Sequence, residues 1–166
     1  MEVPKNFGVE IDIRGYGDNL FLSHDPIDPD KEYCELGDYL SIYQNKLIIF
    51  NLKEAGYEEQ IINLAHKYNI ENYFLLDVEF PYFYKATRDK MFKKIAIRYS
   101  EAEPIEFVEA QKDNNNEPLC DWVWIDTNTR LPLDQQVVVK LEQFSTCLVC
   151  PERWGRPADI KKYRLE

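Results

Sequence analysis

The chain has 166 residues, 45% of them hydrophobic, which suits a globular domain with a real core and excludes a disordered tail. Its formal net charge of −10 repels phosphate backbones and anionic membranes, and so argues against nucleic acid as a partner. No secretory signal, lipidation motif or transmembrane run stands out. The expectation is a cytoplasmic protein without membrane insertion.

In chain order, Val9, Ile11 and Ile13 alternate with Glu10, Asp12 and Arg14, the period of a strand with one apolar face. Two carboxylates on one side of a strand approach each other only around a cation, which suggests a hard metal such as Mg²⁺ or Ca²⁺. Gly15, Gly17, Asp18 and Asn19 supply a turn, and the apolar run 20–22 then delivers His24 and Asp25 close to the acids. Residues 25–38 read as a loop and 36–44 as a short helix. Residues 46–53 are nearly all apolar, as in a parallel strand buried on both faces. The helix expected over 55–68 places Ile61, Ile62, Leu64 and Ala65 on one face, with His66 a surface or packing residue.

The unit repeats. Strands are expected over 72–77, 94–99, 121–126 and 146–150, with helices over 81–92, 104–111, 133–144 and 157–163. Strands and helices alternating on short connections predict parallel β/α architecture with right-handed crossovers. Each strand ends polar: Asp12 and Arg14, Asn51 and Lys53, Asp77 and Glu79, Arg98 and Ser100, Asp126 and Asn128, and Glu152. Ligand sites of β/α folds gather at that end.

Single residues sharpen this. Glu10 and Asp12 are the candidate metal ligands. His24, in Ser-His-Asp-Pro beside the turn, is a poor core histidine and a good general acid or base near neutrality. Trp122 and Trp124 are expected to fill one layer between strand and helices, and Trp154, near Gly155, to stand exposed where a ligand can meet it. Cys147 and Cys150 point to opposite faces of a continuous strand, which predicts core-filling thiols, not a zinc or redox pair. Glu101, Glu103, Glu106 and Glu109 read as a solvated helix face.

The pattern Glu10-x-Asp12, a Gly/Asp turn and His24-Asp25 resembles the second-strand signature of the glycerophosphodiester phosphodiesterases, relatives of the phosphatidylinositol-specific phospholipases C. The likeness is strongest to a divergent bacterial branch and runs from Phe7 onward. It includes Phe74-Leu-Leu-Asp77, Phe80-Pro81, Arg98-Tyr-Ser-Glu101, Trp122-Val-Trp-Ile-Asp126, and Leu148-Val-Cys-Pro-Glu152 with Gly155-Arg156. Only the Glu-x-Asp…His-Asp signature is mechanistically specific. The resemblance implies a single TIM-barrel-like (β/α) domain over residues 1–166. It is shortened or incomplete, since six parallel strands are expected where a closed barrel takes roughly eight. An open barrel edge would leave unpaired backbone and invite pairing with a second copy.

The same resemblance implies a small phosphodiester substrate, of glycerophosphodiester or phosphosugar type, and a divalent cation held by Glu10, Asp12 and Asn51. Catalysis would fall to His24 and Lys53, and substrate contacts to Arg14, Arg98, Glu152 and Trp154. Asn51 stands where the family has a glutamate, which removes one ligand charge. The His-Arg of the family's first strand, which carries the second catalytic histidine, occurs nowhere in this chain. A non-catalytic binding or scaffold protein on the same fold is the alternative. A nucleotide-binding doubly wound fold lacks support, because no glycine-rich phosphate loop follows a strand.

Overall fold

Seven short strands alternate with six α-helices in the computed structural model, which describes residues 3–163. The chain divides into two compact units, Met1–Phe83 and Tyr84–Glu166.

The first unit holds a four-stranded sheet in the order β2-β1-β3-β4, built from β1 (Val9–Tyr16), β2 (Asn19–Leu22), β3 (Ile48–Leu52) and β4 (Tyr73–Leu76). β1, β3 and β4 run parallel, and β2 returns antiparallel along β1. That return is a two-residue hairpin with Gly17 at φ 59° in the first turn position, where a side chain would be strained. All of β3 and β4 is buried, as near-continuous apolar runs in a parallel sheet require. Phe50 and Tyr73 meet edge to face across these two strands, with ring centroids 5.4 Å apart. α1 (Leu36–Ile42) turns Leu36 and Leu40 inward, and α2 (Glu58–Lys67) buries Ile61 and Ala65, its i and i+4 positions.

The second unit repeats the arrangement with β5 (Ala96–Tyr99), β6 (Trp122–Ile125) and β7 (Ser145–Leu148) in a parallel sheet of order β5-β6-β7. Ile95, Val108, Val123 and Ile125 form its interior with the buried Cys120. α3 (Phe80–Asp89) carries the boundary between the units. α4 (Ile105–Glu109) and α5 (Gln135–Leu141) join through Lys140, whose Nζ lies 2.8 Å from Glu109. Two 3-10 turns, Pro151–Trp154 and Pro157–Asp159, lead to α6 (Ile160–Tyr163).

The mixed α/β class with parallel strands is therefore the observed one, and every expected strand and helix has a counterpart. Neither sheet closes into a barrel among the described residues. Two expectations need correction. β7 ends at Leu148, since Pro151 opens a 3-10 turn and cannot donate to a ladder, so Cys150 lies outside the strand. Cys147 is accordingly half-buried and Cys150 exposed, and of the four cysteines only Cys120 fills core. The acidic run is not one helix face either. Glu101 precedes α4 and accepts hydrogen bonds from Thr129, while Glu109 pairs with Lys140.

Asp134 caps α5 by accepting from the Val137 amide at 2.9 Å. Its replacement by alanine leaves that donor without a partner and is expected to cost about 1 kcal/mol, read as a lower urea midpoint.

Candidate functional site at the carboxyl ends of β1 and β3

The parallel register sets Asp12 beside Asn51, and strand alternation then puts Glu10, Asp12 and Arg14 on the same face as Asn51 and Lys53. The side chains meet there. Lys53 Nζ stands 3.0 Å from Asp12 Oδ1, and Asn51 Nδ2 donates to Glu10 Oε1 at 2.7 Å. Asn51 is only 3% exposed, and its Oδ1 is a buried acceptor with no hydrogen-bond partner among the described residues. An amide in that position is normally satisfied on both sides, and this oxygen is left able to accept from a further donor or to ligate a cation.

The β2 exit joins the same strand end. The Ser23 amide donates to the Asp12 carbonyl at 3.0 Å, which fixes where His24 begins. The His24 side chain is 66% exposed, with Nδ1 2.9 Å from Asp25 Oδ1. The hydrogen bond from His24, followed by its charge, holds the Asp25 carboxyl below the usual aspartate range. Asp25 is thus a carboxylate partner that orients the imidazole, while Nε2 has no protein partner among the described residues.

Arg14 is engaged by the protein itself. Its Nε and Nη2 donate to the His24 carbonyl at 3.3 and 3.1 Å, and its Nη1 donates to the Lys53 carbonyl and to Glu54 Oε1 at 3.2 and 3.1 Å. The guanidinium therefore ties together the backbones that carry the two candidate catalytic side chains. Glu54 adds a hydrogen bond from the Gly15 amide at 3.1 Å. Tyr57 packs so closely on Gly15 that a Cβ there would lie 2.0 Å from its ring. Arg14→Ala removes this half-buried clasp and is expected to cost about 2 kcal/mol, measured as a urea midpoint shift at constant m. Glu54 and Tyr57 were not legible as site residues, because no local pattern couples them to residues some forty positions earlier.

Among the described residues, no three His, Cys, Asp or Glu side chains cluster in a metal-binding group. The donor set here is two carboxylates and one amide. Glu10 Oε2, Asp12 Oδ2 and Asn51 Oδ1 accept no described hydrogen bond, and three such oxygens suit a hard divalent cation. Lys53 already neutralises part of that charge at Asp12.

Family models, curated proteins and solved structures yield no match to this chain.

In the second unit, the register places Arg98 beside Trp124, and Arg98 forms an ion pair with Asp126, two positions on. Trp124 is buried and its indole N–H donates to the other Asp126 oxygen at 3.3 Å, so the buried carboxylate is held from two sides. Trp122 is only half-buried. Arg98 is thus engaged in the strand-end network of its own unit. Arg156 donates to the Thr127 carbonyl and to Asp159, and so fastens the carboxyl-terminal turns to the end of β6. Glu152 and Trp154 lie exposed on the 3-10 turn after β7, Trp154 at 43%. His66 is exposed on α2.

Proposed function

We propose that the carboxyl end of β1 and β3 is a cation-assisted phosphodiester site, on a shortened (β/α) barrel of the glycerophosphodiester phosphodiesterase type. One observation carries this reading. The Asp12–Asn51 register and the Ser23–Asp12 hydrogen bond gather Asp12, Asn51, Lys53 and the His24 loop at one strand end, and the Asn51 side chain reaches back to Glu10, near the start of β1. Nothing in core packing calls for that combination of groups.

The roles follow from the chemistry of each group. Glu10, Asp12 and Asn51 would hold Mg²⁺ or Ca²⁺, which when bound polarises a phosphate oxygen as a Lewis acid. Lys53 offers a point charge to a second phosphate oxygen, moving between it and Asp12. His24, oriented by Asp25, donates a proton from Nε2 to the departing alkoxide. Arg14 and Glu54 keep His24 and Lys53 in register. The substrate class that fits is a small glycerophosphodiester or phosphosugar: water forms a new P–O bond and gives its proton to solvent as the P–O bond to the departing alcohol breaks.

A second reading, a non-catalytic binding or scaffold protein, is favoured by two observations. Lys53 and Asn51 already occupy one oxygen each of the two acids, and His24 is the sole histidine at the site. One assay separates the two. Glycerophosphodiester hydrolysis is followed with Mg²⁺ or Ca²⁺ and again with chelator. Turnover that needs the cation supports the enzyme. Cation-dependent binding of the phosphodiester without turnover supports the scaffold, and neither binding nor turnover contradicts both.

A further inference from the structure

The carboxyl ends of β5 and β6 frame a second recess, wholly within the second unit. Its volume is about 330 Å³, the size of a small-molecule pocket. Its walls come from the β5–α4 connection (Ser100, Glu101, Pro104, Ile105) and from residues 130–134 before α5. The walls are fixed to each other. Glu101 Oε1 takes hydrogen bonds from the Thr129 amide and hydroxyl, and Tyr99 donates its phenolic proton to the Pro132 carbonyl at 2.6 Å.

Once those bonds are made, several polar groups at the recess remain open. Arg130 is exposed, and among the described residues its guanidinium has no ion-pair partner. Ser100 is 3% exposed. Its Oγ accepts from the amides of Ala102 and Glu103 at 3.1 and 3.2 Å, yet its own proton has no described acceptor. On the acceptor side, Glu101 Oε2 is buried without a partner, and Asp134 uses Oδ1 for the α5 cap while Oδ2 stays open. Burial alone would raise the Glu101 carboxyl. The hydrogen bonds from the Thr129 hydroxyl and from the backbone of Glu101, Thr129 and Arg130 outweigh it and lower the group, so it is charged at neutrality.

The recess thus presents one unpaired cation and a buried hydroxyl donor together with two carboxylates. Ile105, Leu131 and Leu133 supply apolar surface beside them. A simple anion meets two negative groups there and a simple cation meets Arg130. A molecule bearing both charges satisfies each. We propose that this recess binds a small zwitterion, an amine and a carboxylate on a short aliphatic body, of the kind an aliphatic α-amino acid presents. The carboxylate would lie on Arg130 and the Ser100 hydroxyl, and the ammonium toward Glu101 and Asp134. This site is independent of the phosphodiester reading and stands or falls separately.

The test uses the full chain and three probes of one shape: L-leucine, isocaproate (which lacks the amine) and leucinamide (which lacks the carboxylate). Binding is followed by amide chemical shifts of Ser100, Glu101 and Leu131 up to millimolar concentrations. L-leucine is expected to saturate, with the other two at least about tenfold weaker. Arg130→Gln, a substitution at an exposed position with an unchanged circular dichroism spectrum as its folding control, should weaken L-leucine by about tenfold or more. Absence of saturable shifts, equal affinity for L-leucine and isocaproate, or an Arg130→Gln variant that binds like the parent would each overturn the proposal.

Discussion

Phe50→Ala is expected to lower the stability of the chain by about 3–5 kcal/mol. Phe50 is fully buried at the centre of β3, between β1 and β4, and its ring meets Tyr73 edge to face. Truncation removes apolar area and the aromatic contact, and leaves a cavity between two strands that are buried on both faces and cannot collapse into it. A loss of that size is a large part of a typical domain's stability of about 5–15 kcal/mol. Because Asn51 lies on the same strand and Lys53 directly follows it, the candidate site should fail along with the fold. Urea unfolding followed by far-UV circular dichroism measures the effect. Ile42→Ala is the control, since Ile42 is 74% exposed, and its expected change is within about 0.5 kcal/mol. A Phe50→Ala midpoint close to the parent's would mean that β3 is not the core strand described.

His24→Ala should show the opposite pattern, with stability kept and chemistry lost. The side chain is 66% exposed and its one described partner is Asp25, so removal opens no cavity. If His24 donates the proton to the leaving alkoxide, turnover of a glycerophosphodiester should fall by about 10²–10⁴-fold while the urea midpoint stays in place. Cation binding should survive, because Glu10, Asp12 and Asn51 are untouched. Parent-like turnover in His24→Ala would remove His24 from the chemistry.

Much of the fold was legible because the cues were local. The apolar run through Ile48, Ile49 and Phe50 reads as a strand buried on both faces, and Ile61 with Ala65 reads as one helix face. The Gly17 turn announces the β2 hairpin in the same way. Division into two sheets was not legible, since strand periodicity says which face is buried and not which strand lies beside the last one. The expected strand over 146–150 runs past Leu148 because the apolar run continues to Val149, whereas the turn opened by Pro151 sets the limit.

The site was legible to the same depth. Alternation along β1 put Glu10, Asp12 and Arg14 on one face, and the register brings Asn51 and Lys53 to them. The partners were the illegible part. Arg14 and Arg98 look alike in sequence, as cations at strand ends suited to phosphate. In the fold, Arg14 holds the carbonyls of His24 and Lys53, and Arg98 pairs with a buried Asp126. A side chain's residue type says what it can bind, and only the tertiary contacts say what it already holds. Glu54 illustrates the converse. It does not look distinctive in a strand pattern, yet it completes the Arg14 clasp.

The central claim, a cation-assisted site on β1 and β3, is tested most directly by calorimetric titration of Mg²⁺ and Ca²⁺. The parent chain is compared with its Glu10→Gln, Asp12→Asn double variant. The account predicts saturable binding in the parent that is lost in the variant, with the fold of both unchanged by circular dichroism. Binding that persists in the variant would place the cation elsewhere, and no binding in the parent would contradict the cation-assisted site.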